Sequence, residues 1–214
     1  MGRLFVLRHG QTGLNRERII QGPRLDDDLS ELGRHQASRL GDALREQGLG
    51  TLYTSPLRRA RETAHAIERG QGARRALPVE VVPELYEMDY GRFAGLRYDE
   101  AEPHLEQLRD AWRMGMLAEP FPGGESPILA QHRVRPFCNR VLAEAARHPV
   151  AVVGHGRLNR VLLATLTGAG LERMDEFPQA NAAITELVVE DGQASIVRLN
   201  DTAHLDIAGD GAFA

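Results

Sequence analysis

The chain has 214 residues, 42% of them hydrophobic, which is enough for one well-buried α/β domain and short for two. Its formal net charge of −4 at pH 7 gives no basic footprint for nucleic acid, and no apolar run approaches the length of a membrane span. Its single cysteine, Cys138, excludes an internal disulfide framework, and residues 1–4 lead into a core strand without a signal-peptide pattern, so we expect a cytoplasmic protein.

An apolar run of β-forming residues at 4–7 stops abruptly at Arg8, His9 and Gly10. The run has no polar alternation, which predicts a strand buried on both faces, and Gly10 lets the backbone turn closely beside His9. Ligands are expected at the carboxyl end of such a strand. Taken alone, the tripeptide is equally consistent with a solvated strand end.

Residues 11–28 are rich in Gly, Asp and Pro and show no sustained period, which predicts a long loop over the site. The acidic run 26–28 within it lacks the glycine and distal glutamate of a calcium loop, so we expect a solvated turn. A helix with Ser30 as its N-cap is predicted to run to about Gln47, followed by a strand at 52–54.

A second helix is predicted to start at Ser55-Pro56, an N-cap followed by proline at the first helical position. A helix start attracts phosphate through its free N–H groups and positive dipole end, and an arginine there adds a planar fork for two phosphate oxygens. Arg58 and Arg59 both fall in the first turn. Because successive helix positions point roughly 100° apart, only one of them should face a bound anion. A third strand is predicted at 79–82.

Three carboxylates, Glu84, Glu87 and Asp89, follow this third strand and compete for a general-acid role. Most acidic residues in loops are only solvated, so their spacing alone does not choose among them. The segment 88–130 contains a helical stretch and is interpreted as an excursion that folds over the pocket. We therefore expect a lid region inside a single domain of residues 1–205.

A second doubly buried strand is predicted at 150–154, after a helix at 128–148, and it ends at His155-Gly156. A further helix begins just beyond this histidine, which supplies the pocket with a second helix start. A terminal hairpin is predicted within 181–199, and residues 206–214 are expected to be frayed.

Four blocks of the sequence, in their order and spacing, resemble the histidine phosphatase superfamily in its phosphoglycerate-mutase-like branch. These blocks are Leu7-Arg8-His9-Gly10, Ser55-Pro56-Leu57-Arg58-Arg59-Ala60, Leu85-Tyr86-Glu87-Met88-Asp89-Tyr90-Gly91 and Val153-Gly154-His155-Gly156. The resemblance runs from Arg3 to about Leu205, and its specificity lies in the whole set. It implies a three-layer α/β/α fold with a mostly parallel central sheet and a small lid insertion.

The resemblance also implies roles for the residues that match the family pattern. His9 is implied to be the phosphorylated nucleophile and Glu87 the proton donor. The implied phosphate pocket consists of Arg8, Arg59 and His155. Further contacts to phosphate or substrate are implied for Gly10, Asn15, Gln21, Gly22 and Gly156. For Gln21-Gly22, a simple turn is an equally good interpretation.

Phosphoryl transfer requires cations around the transferred group and a nucleophile in line with the leaving oxygen. His9 must attack as neutral imidazole, so we expect its other nitrogen to be tied to a backbone carbonyl. Glu87 protonates the leaving oxygen and then takes a proton from the hydrolytic water. The eight histidines show no clear zinc spacing. We therefore predict a metal-independent phosphatase without cofactors, acting on small phosphorylated metabolites.

Two other classes of function stay open at this point. A phosphoglycerate mutase would use the same phosphohistidine and return the phosphate to the sugar acid, whereas a phosphate-sensing module would bind without turnover. Residues 19–24 lack the tryptophan-containing stretch that mutases carry after the Asn15 position, which favours hydrolysis. Arg24 and Arg157 lie near the shared set in sequence, and either could hold a second anionic group of the substrate. The sequence leaves open which phosphomonoester is used and whether the chain forms a homodimer.

Overall fold

The computed structural model describes residues 1–72 and 77–205, in which helices cover both faces of a six-stranded sheet. The strands are β1 (Gly2–Arg8), β2 (Thr51–Thr54), β3 (Val79–Val81), β4 (Val150–Gly154), β5 (Ile184–Glu190) and β6 (Gln193–Asp201). The α-helices are α1 (Gly13–Arg16), α2 (Glu31–Leu44), α3 (Arg58–Gly70), α4 (Tyr98–Arg113), α5 (Pro127–Ala145) and α6 (Gly156–Thr167).

The sheet has the strand order β3-β2-β4-β1-β5-β6 and is mostly parallel. Strands β3, β2, β4 and β1 run parallel, whereas β5 is antiparallel to β1 and pairs with β6 in the predicted hairpin. In the central pair, Arg8 of β1 lies opposite Gly154 of β4. Both strands therefore end at the same edge of the sheet, and the residues that follow them, His9 and His155, emerge side by side.

Alternation along β1 divides the interior into two apolar layers. Leu4 and Val6 pack into the cluster that contains the inner faces of α5 and α6, whereas Phe5 and Leu7 pack against α2 and α3. All four side chains are at most 1% exposed, so each contributes about 1.5–3 kcal/mol through burial. The predicted three-layer α/β/α fold is confirmed.

The start of α3 differs from the prediction. The helix begins at Arg58 with Leu57 as its N-cap, and the capping side chain is Asp26, whose carboxylate accepts the Arg58 N–H at 2.9 Å. The Ser55 hydroxyl accepts the N–H of Leu57, ahead of the first helical residue, at 3.3 Å and lies 2.7 Å from Nε2 of His155. The prediction of a Ser55 N-cap was wrong because a carboxylate distant in sequence reaches the helix end.

The loop predicted at 11–28 is more ordered than its composition indicated. It contains the single turn α1, which Thr12 and Asn15 close with reciprocal hydrogen bonds between side chain and backbone. Asp27 accepts the Leu14 N–H at 3.1 Å. Together with the cap made by Asp26, this contact shows that the acidic run is a structural anchor, which corrects the expectation of a solvated turn.

The segment 88–130 forms α4, the start of α5 and the connection between them. Its aromatic side chains are buried against each other: the Trp112 ring meets the Phe121 ring edge-on with centroids 5.2 Å apart. Its function as a lid within one domain of residues 1–205 stays a prediction. The frayed tail predicted at 206–214 lies outside the described residues. Within the described parts of the chain, no helix is both long and apolar enough to cross a membrane.

Candidate active site

A polar pocket opens at the carboxyl ends of β1 and β4, as the strand pattern predicted. Of the predicted residues, the pocket is lined by Arg8, His9, Asn15, Gln21, Gly22, Arg59, Glu87 and Gly156. It is also lined by Ile19, Tyr90, Tyr98, Arg109, Arg157, Arg160 and Gln179. His155 is fully buried behind this lining, with its ring centroid 5.1 Å from that of His9.

The ring of His9 is held in a defined tautomer. Nδ1 lies 2.7 Å from the Gly10 carbonyl oxygen, so Nδ1 carries the proton and donates it there, as expected from the sequence. The lone pair is then on Nε2. Burial, followed by the cations Arg59 and Arg8, lowers the pKa of His9 well below its usual 6.5. The ring is therefore a neutral nucleophile near pH 7.

Gly10 supports His9 from behind the pocket wall. Its N–H donates to Oγ1 of Thr63 at 3.1 Å, and its carbonyl is engaged by His9. A Cβ at this position would lie 2.4 Å from the Gly33 carbonyl oxygen, so only glycine fits. The Gly10 N–H is thus engaged by Thr63, and a contact of Gly10 with phosphate stays a prediction.

The guanidinium groups of Arg59, which is buried, and Arg8, which is half-buried, flank His9 and are fixed by carbonyl oxygens. Arg59 is 1% exposed and donates to Gly22 at 3.0 Å, while Nη1 of Arg8 donates to Gln179 at 2.6 Å. Burial lowers the pKa of Arg59, and the nearby Glu87 carboxylate opposes this shift. Within the described residues, Nε of each arginine is buried without a hydrogen-bond partner. An anion in the pocket would satisfy these donors.

His155 contributes a third polar group to the back of the pocket. Its Nε2 lies 2.7 Å from the Ser55 hydroxyl, and its Nδ1 is buried without a partner in the described part of the chain. Burial, then the positive charge of Arg59 and the neighbouring His9, lower its pKa well below 6.5. Nδ1 of His155 and Nε of the two arginines are thus buried polar atoms near His9 without a hydrogen-bond partner in the described part of the chain.

Glu87 is the one of the three candidate acids that lies in the pocket. It is buried, and its carboxylate accepts the backbone N–H groups of Leu158 at 2.8 Å and Arg157 at 3.0 Å, in the first turn of α6. Glu84 is exposed, and Asp89 forms an ion pair at the surface. The helix start that the sequence offered to phosphate is thus occupied by the proposed acid.

Besides the lining residues Ile19, Tyr90, Tyr98, Arg109 and Arg160, sequence reasoning missed two polar residues next to the nucleophile, Asn181 and Gln179. Asn181 donates from Nδ2 to Oδ1 of Asn15 and to the His9 carbonyl, each at 3.2 Å, which leaves the Asn15 amide nitrogen for the pocket. Gln179 accepts from Arg8 through its carbonyl and lines the cavity with its side chain. The only sequence signal for these two residues was the polar stretch in which they lie. This stretch precedes β5, which pairs with β1 in the structure.

The side chains that could ligate a metal ion are dispersed in the described part of the chain. Over residues 1–72 and 77–205, His, Cys, Asp and Glu side chains form no group of three or more that could hold a metal ion. The charges that face the centre of the pocket are guanidinium groups, which bind phosphate oxygens directly.

The lowered pKa of His9 leads to a prediction for the pH profile. Because the neutral ring persists as the pH falls through 6.5, the acid limb of kcat/KM should lie below pH 6.5. The measurement is kcat/KM against pH with p-nitrophenyl phosphate, after correction for the substrate ionisation determined by ³¹P NMR. If kcat/KM falls to half of its maximum at a pH above 6.5, the pKa of His9 is not lowered and this prediction is wrong.

The geometry agrees with the comparisons to known proteins. The family model described as the histidine phosphatase superfamily (branch 1) matches residues 4–202. A protein named putative phosphoserine phosphatase 2 from Hydrogenobacter thermophilus is 33% identical over 95% of this chain and 98% of its own length. Glucosyl-3-phosphoglycerate phosphatase from Mycolicibacterium vanbaalenii is 34% identical over 99% and 89%.

Solved structures show the same likeness. The structure titled mycobacterial hydrolase 1 has a TM-score of 0.82 and 31% identity, covering 94% of this chain and 99% of that one. A mycobacterial glucosyl-3-phosphoglycerate phosphatase in complex with VO3 has a TM-score of 0.80, 31% identity and the same coverage. Because the named relatives are phosphatases, the prediction of a phosphatase rather than a mutase is confirmed. The chain belongs to branch 1 of the histidine phosphatase superfamily.

Proposed function

We propose that this phosphatase hydrolyses small phosphomonoesters through a phosphohistidine formed on His9. The observation that carries the proposal is the neutral His9 ring, with its proton fixed on Nδ1, placed in one pocket with the cations Arg8 and Arg59 and with Glu87. In its finer class the chain would be a histidine acid-type phosphatase.

In the first step, the Nε2 lone pair of His9 attacks phosphorus while the bond to the leaving oxygen breaks. Protonated Glu87 gives its proton to that oxygen, which departs as a neutral alcohol. The charge on the equatorial phosphate oxygens is held by Arg8, Arg59 and the free nitrogen of His155. These groups are fixed before substrate arrives, so they need no reorganisation during transfer.

In the second step, water attacks the phosphohistidine and the P–N bond breaks. The Glu87 carboxylate takes a proton from this water, so inorganic phosphate leaves and both His9 and Glu87 return to their starting states. Oε1 of Glu87 already accepts two backbone N–H groups, from Met88 and Leu158, whereas Oε2 accepts one, from Arg157. Oε2 therefore has a lone pair left for the transferred proton.

The proposed substrate is a small phosphorylated metabolite, since both named relatives act on phosphomonoesters. The walls of the pocket support this class, because most of the lining side chains are polar or cationic. Residence in the cytoplasm and a homodimer stay predictions.

The proposal is tested by a screen of phosphorylated metabolites combined with rapid-quench trapping. A phosphoenzyme that survives base and is lost in acid, formed at the rate of turnover, would support phosphohistidine chemistry. Conversion of 3-phosphoglycerate to 2-phosphoglycerate faster than hydrolysis of any ester would favour the mutase. Binding of phosphate without a phosphoenzyme would favour the sensing module.

We expect that chelators leave turnover unchanged, because the phosphate charge that Mg²⁺ or Zn²⁺ would neutralise is assigned here to the guanidinium groups of Arg8 and Arg59. Vanadate and inorganic phosphate should compete with substrate for the same cations. The measurement is kcat/KM before and after dialysis against EDTA. Loss of activity that one metal restores would contradict this assignment.

A further inference from the structure

A second group of cations lines the pocket beyond the phosphate residues. Arg157 and Arg160 project from the first turns of α6, directly after His155 and Gly156. Arg157 is only 8% exposed. These two arginines are three positions apart, so they lie on one face of the helix.

The two arginines share a single carboxylate. Oδ1 of Asp175 accepts from Nη1 of Arg157, and it also accepts from Nη1 of Arg160 at 2.9 Å. Burial and the repulsion of Arg157 lower the pKa of Arg160, although Asp175 opposes the shift. Arg157 is buried and the side chain of Arg160 is 25% exposed, so two cations share one anion and leave a surplus positive charge in a space open to substrate. An anion from the substrate would offset this charge.

Other charged groups nearby are already engaged. Both oxygens of Glu87 accept backbone N–H groups at the start of α6. Arg109 lines the same pocket but pairs with Glu102 and Glu106 on its own helix. The surplus positive charge therefore belongs to Arg157 and Arg160 on α6.

We propose that Arg157 and Arg160 bind a second anionic group, a carboxylate or a phosphate, carried by the leaving group of the substrate. This inference rests on the proposed function, because Glu87 must mark the position of the leaving oxygen. Glu87, Arg157 and Arg160 line one pocket, so a leaving group whose oxygen lies at Glu87 can extend to the arginine pair. A planar guanidinium can bind two oxygens of either anion.

The structure also distinguishes between Arg24 and Arg157, the two arginines that the sequence offered as contacts for a second anionic group. Arg24 is at the surface, with 60% of its side chain exposed, and pairs with Asp89 at 2.8 Å. Arg157 is buried and lines the cavity. Arg24 is therefore the matched control for Arg157.

The test uses three substrates with one carbon skeleton. These are glycerol 1-phosphate, 3-phosphoglycerate and glycerol 1,3-bisphosphate, which differ in carrying a neutral hydroxymethyl group, a carboxylate or a second phosphate. Because their leaving groups are all alkoxides, their need for the acid Glu87 is similar. The readout is the ratio of kcat/KM for each ester with a second anionic group, 3-phosphoglycerate or glycerol 1,3-bisphosphate, to kcat/KM for glycerol 1-phosphate.

Arg157→Gln should lower this ratio by roughly ten-fold or more, whereas Arg24→Gln should leave it unchanged. The ester whose ratio falls further identifies the preferred anion. An unchanged ratio in folded Arg157→Gln would overturn the inference, while absence of both hydrolysis and phosphoenzyme in the wild type would overturn the proposed function itself.

A second variant covers the case in which Arg157→Gln fails to fold. Asp175→Asn removes the carboxylate that competes with the substrate anion, so it should raise the same ratio by about three-fold or more. A ratio that is unchanged or lower in Asp175→Asn would overturn the inference.

Discussion

Replacement of His9 by alanine is expected to lower kcat by roughly 10⁴-fold or more, because the covalent route loses its nucleophile. The fold should remain, since the ring lies at the pocket and its hydrogen bond within the described residues goes to the neighbouring Gly10 carbonyl. The measurement is kcat with p-nitrophenyl phosphate, together with phosphoenzyme trapping and circular dichroism.

The matched control for this variant is His65→Ala. His65 lies on α3 with 51% of its side chain exposed and bonds only Glu68 in the next turn. It should keep full activity. Near-normal turnover of His9→Ala with an unchanged spectrum would show that another group receives the phosphoryl group.

The central fold could be predicted because its signals are local. The doubly buried strands at 4–7 and 150–154 each end at a histidine, and parallel neighbours end at one edge of the sheet. Placement of His9 beside His155 then follows from topology. Of the two adjacent arginines, Arg59 is buried and lines the pocket, whereas Arg58 pairs with Asp28 at the surface.

The caps of the two helices at the site could not be predicted, because the capping groups come from distant parts of the chain. Asp26 reaches the start of α3 from the loop before α2, and Glu87 reaches the start of α6 across 70 positions of sequence. Local rules place the cap on the preceding Ser55 or leave the helix end to phosphate. Tertiary contacts override both expectations here.

The outer part of the pocket was hidden for a related reason. Arg157 could be singled out because it lies two residues after the second pocket histidine, His155. Its partner Asp175 lies in the short 3-10 helix Leu171–Glu176, whose sequence carries no periodic pattern. Asn181 and Gln179 lie in a polar stretch before β5. A sequence does not show that this stretch runs beside the nucleophile, because the antiparallel pairing of β5 with β1 is a long-range contact.

The two helix caps also separate the charges of the site into zones. The carboxylates of Asp26 and Glu87 occupy helix N-termini, where backbone dipoles stabilise them. The guanidinium groups of Arg8 and Arg59 therefore remain available to the phosphoryl group, although Oδ1 of Asp26 lies 3.4 Å from Nη1 of Arg59. The acid is thus held near the cations without sharing the position of the transferred phosphate.

Replacement of Glu87 by glutamine should slow the hydrolysis of alkyl phosphates by on the order of 10² to 10⁴, the value of a positioned general acid. Hydrolysis of p-nitrophenyl phosphate should fall much less, because its leaving group scarcely needs a proton. The measurement is kcat/KM for both ester types in Glu87→Gln, with Glu84→Gln, at an exposed neighbour on the same segment, as the control.

Stability must be measured separately in this variant. The carboxylate of Glu87 accepts three backbone N–H groups, from Met88, Arg157 and Leu158, and a glutamine amide can face them with only one oxygen. One N–H would lose its acceptor, at a cost of about 1–3 kcal/mol in the free energy of unfolding. A lower Tm is therefore expected in Glu87→Gln. This loss of stability can be distinguished from the loss of the general acid, because a smaller folded fraction lowers the activities on alkyl phosphates and on p-nitrophenyl phosphate equally. Equal losses on both substrates in fully folded protein, or a larger loss in Glu84→Gln, would assign the proton donor to another residue.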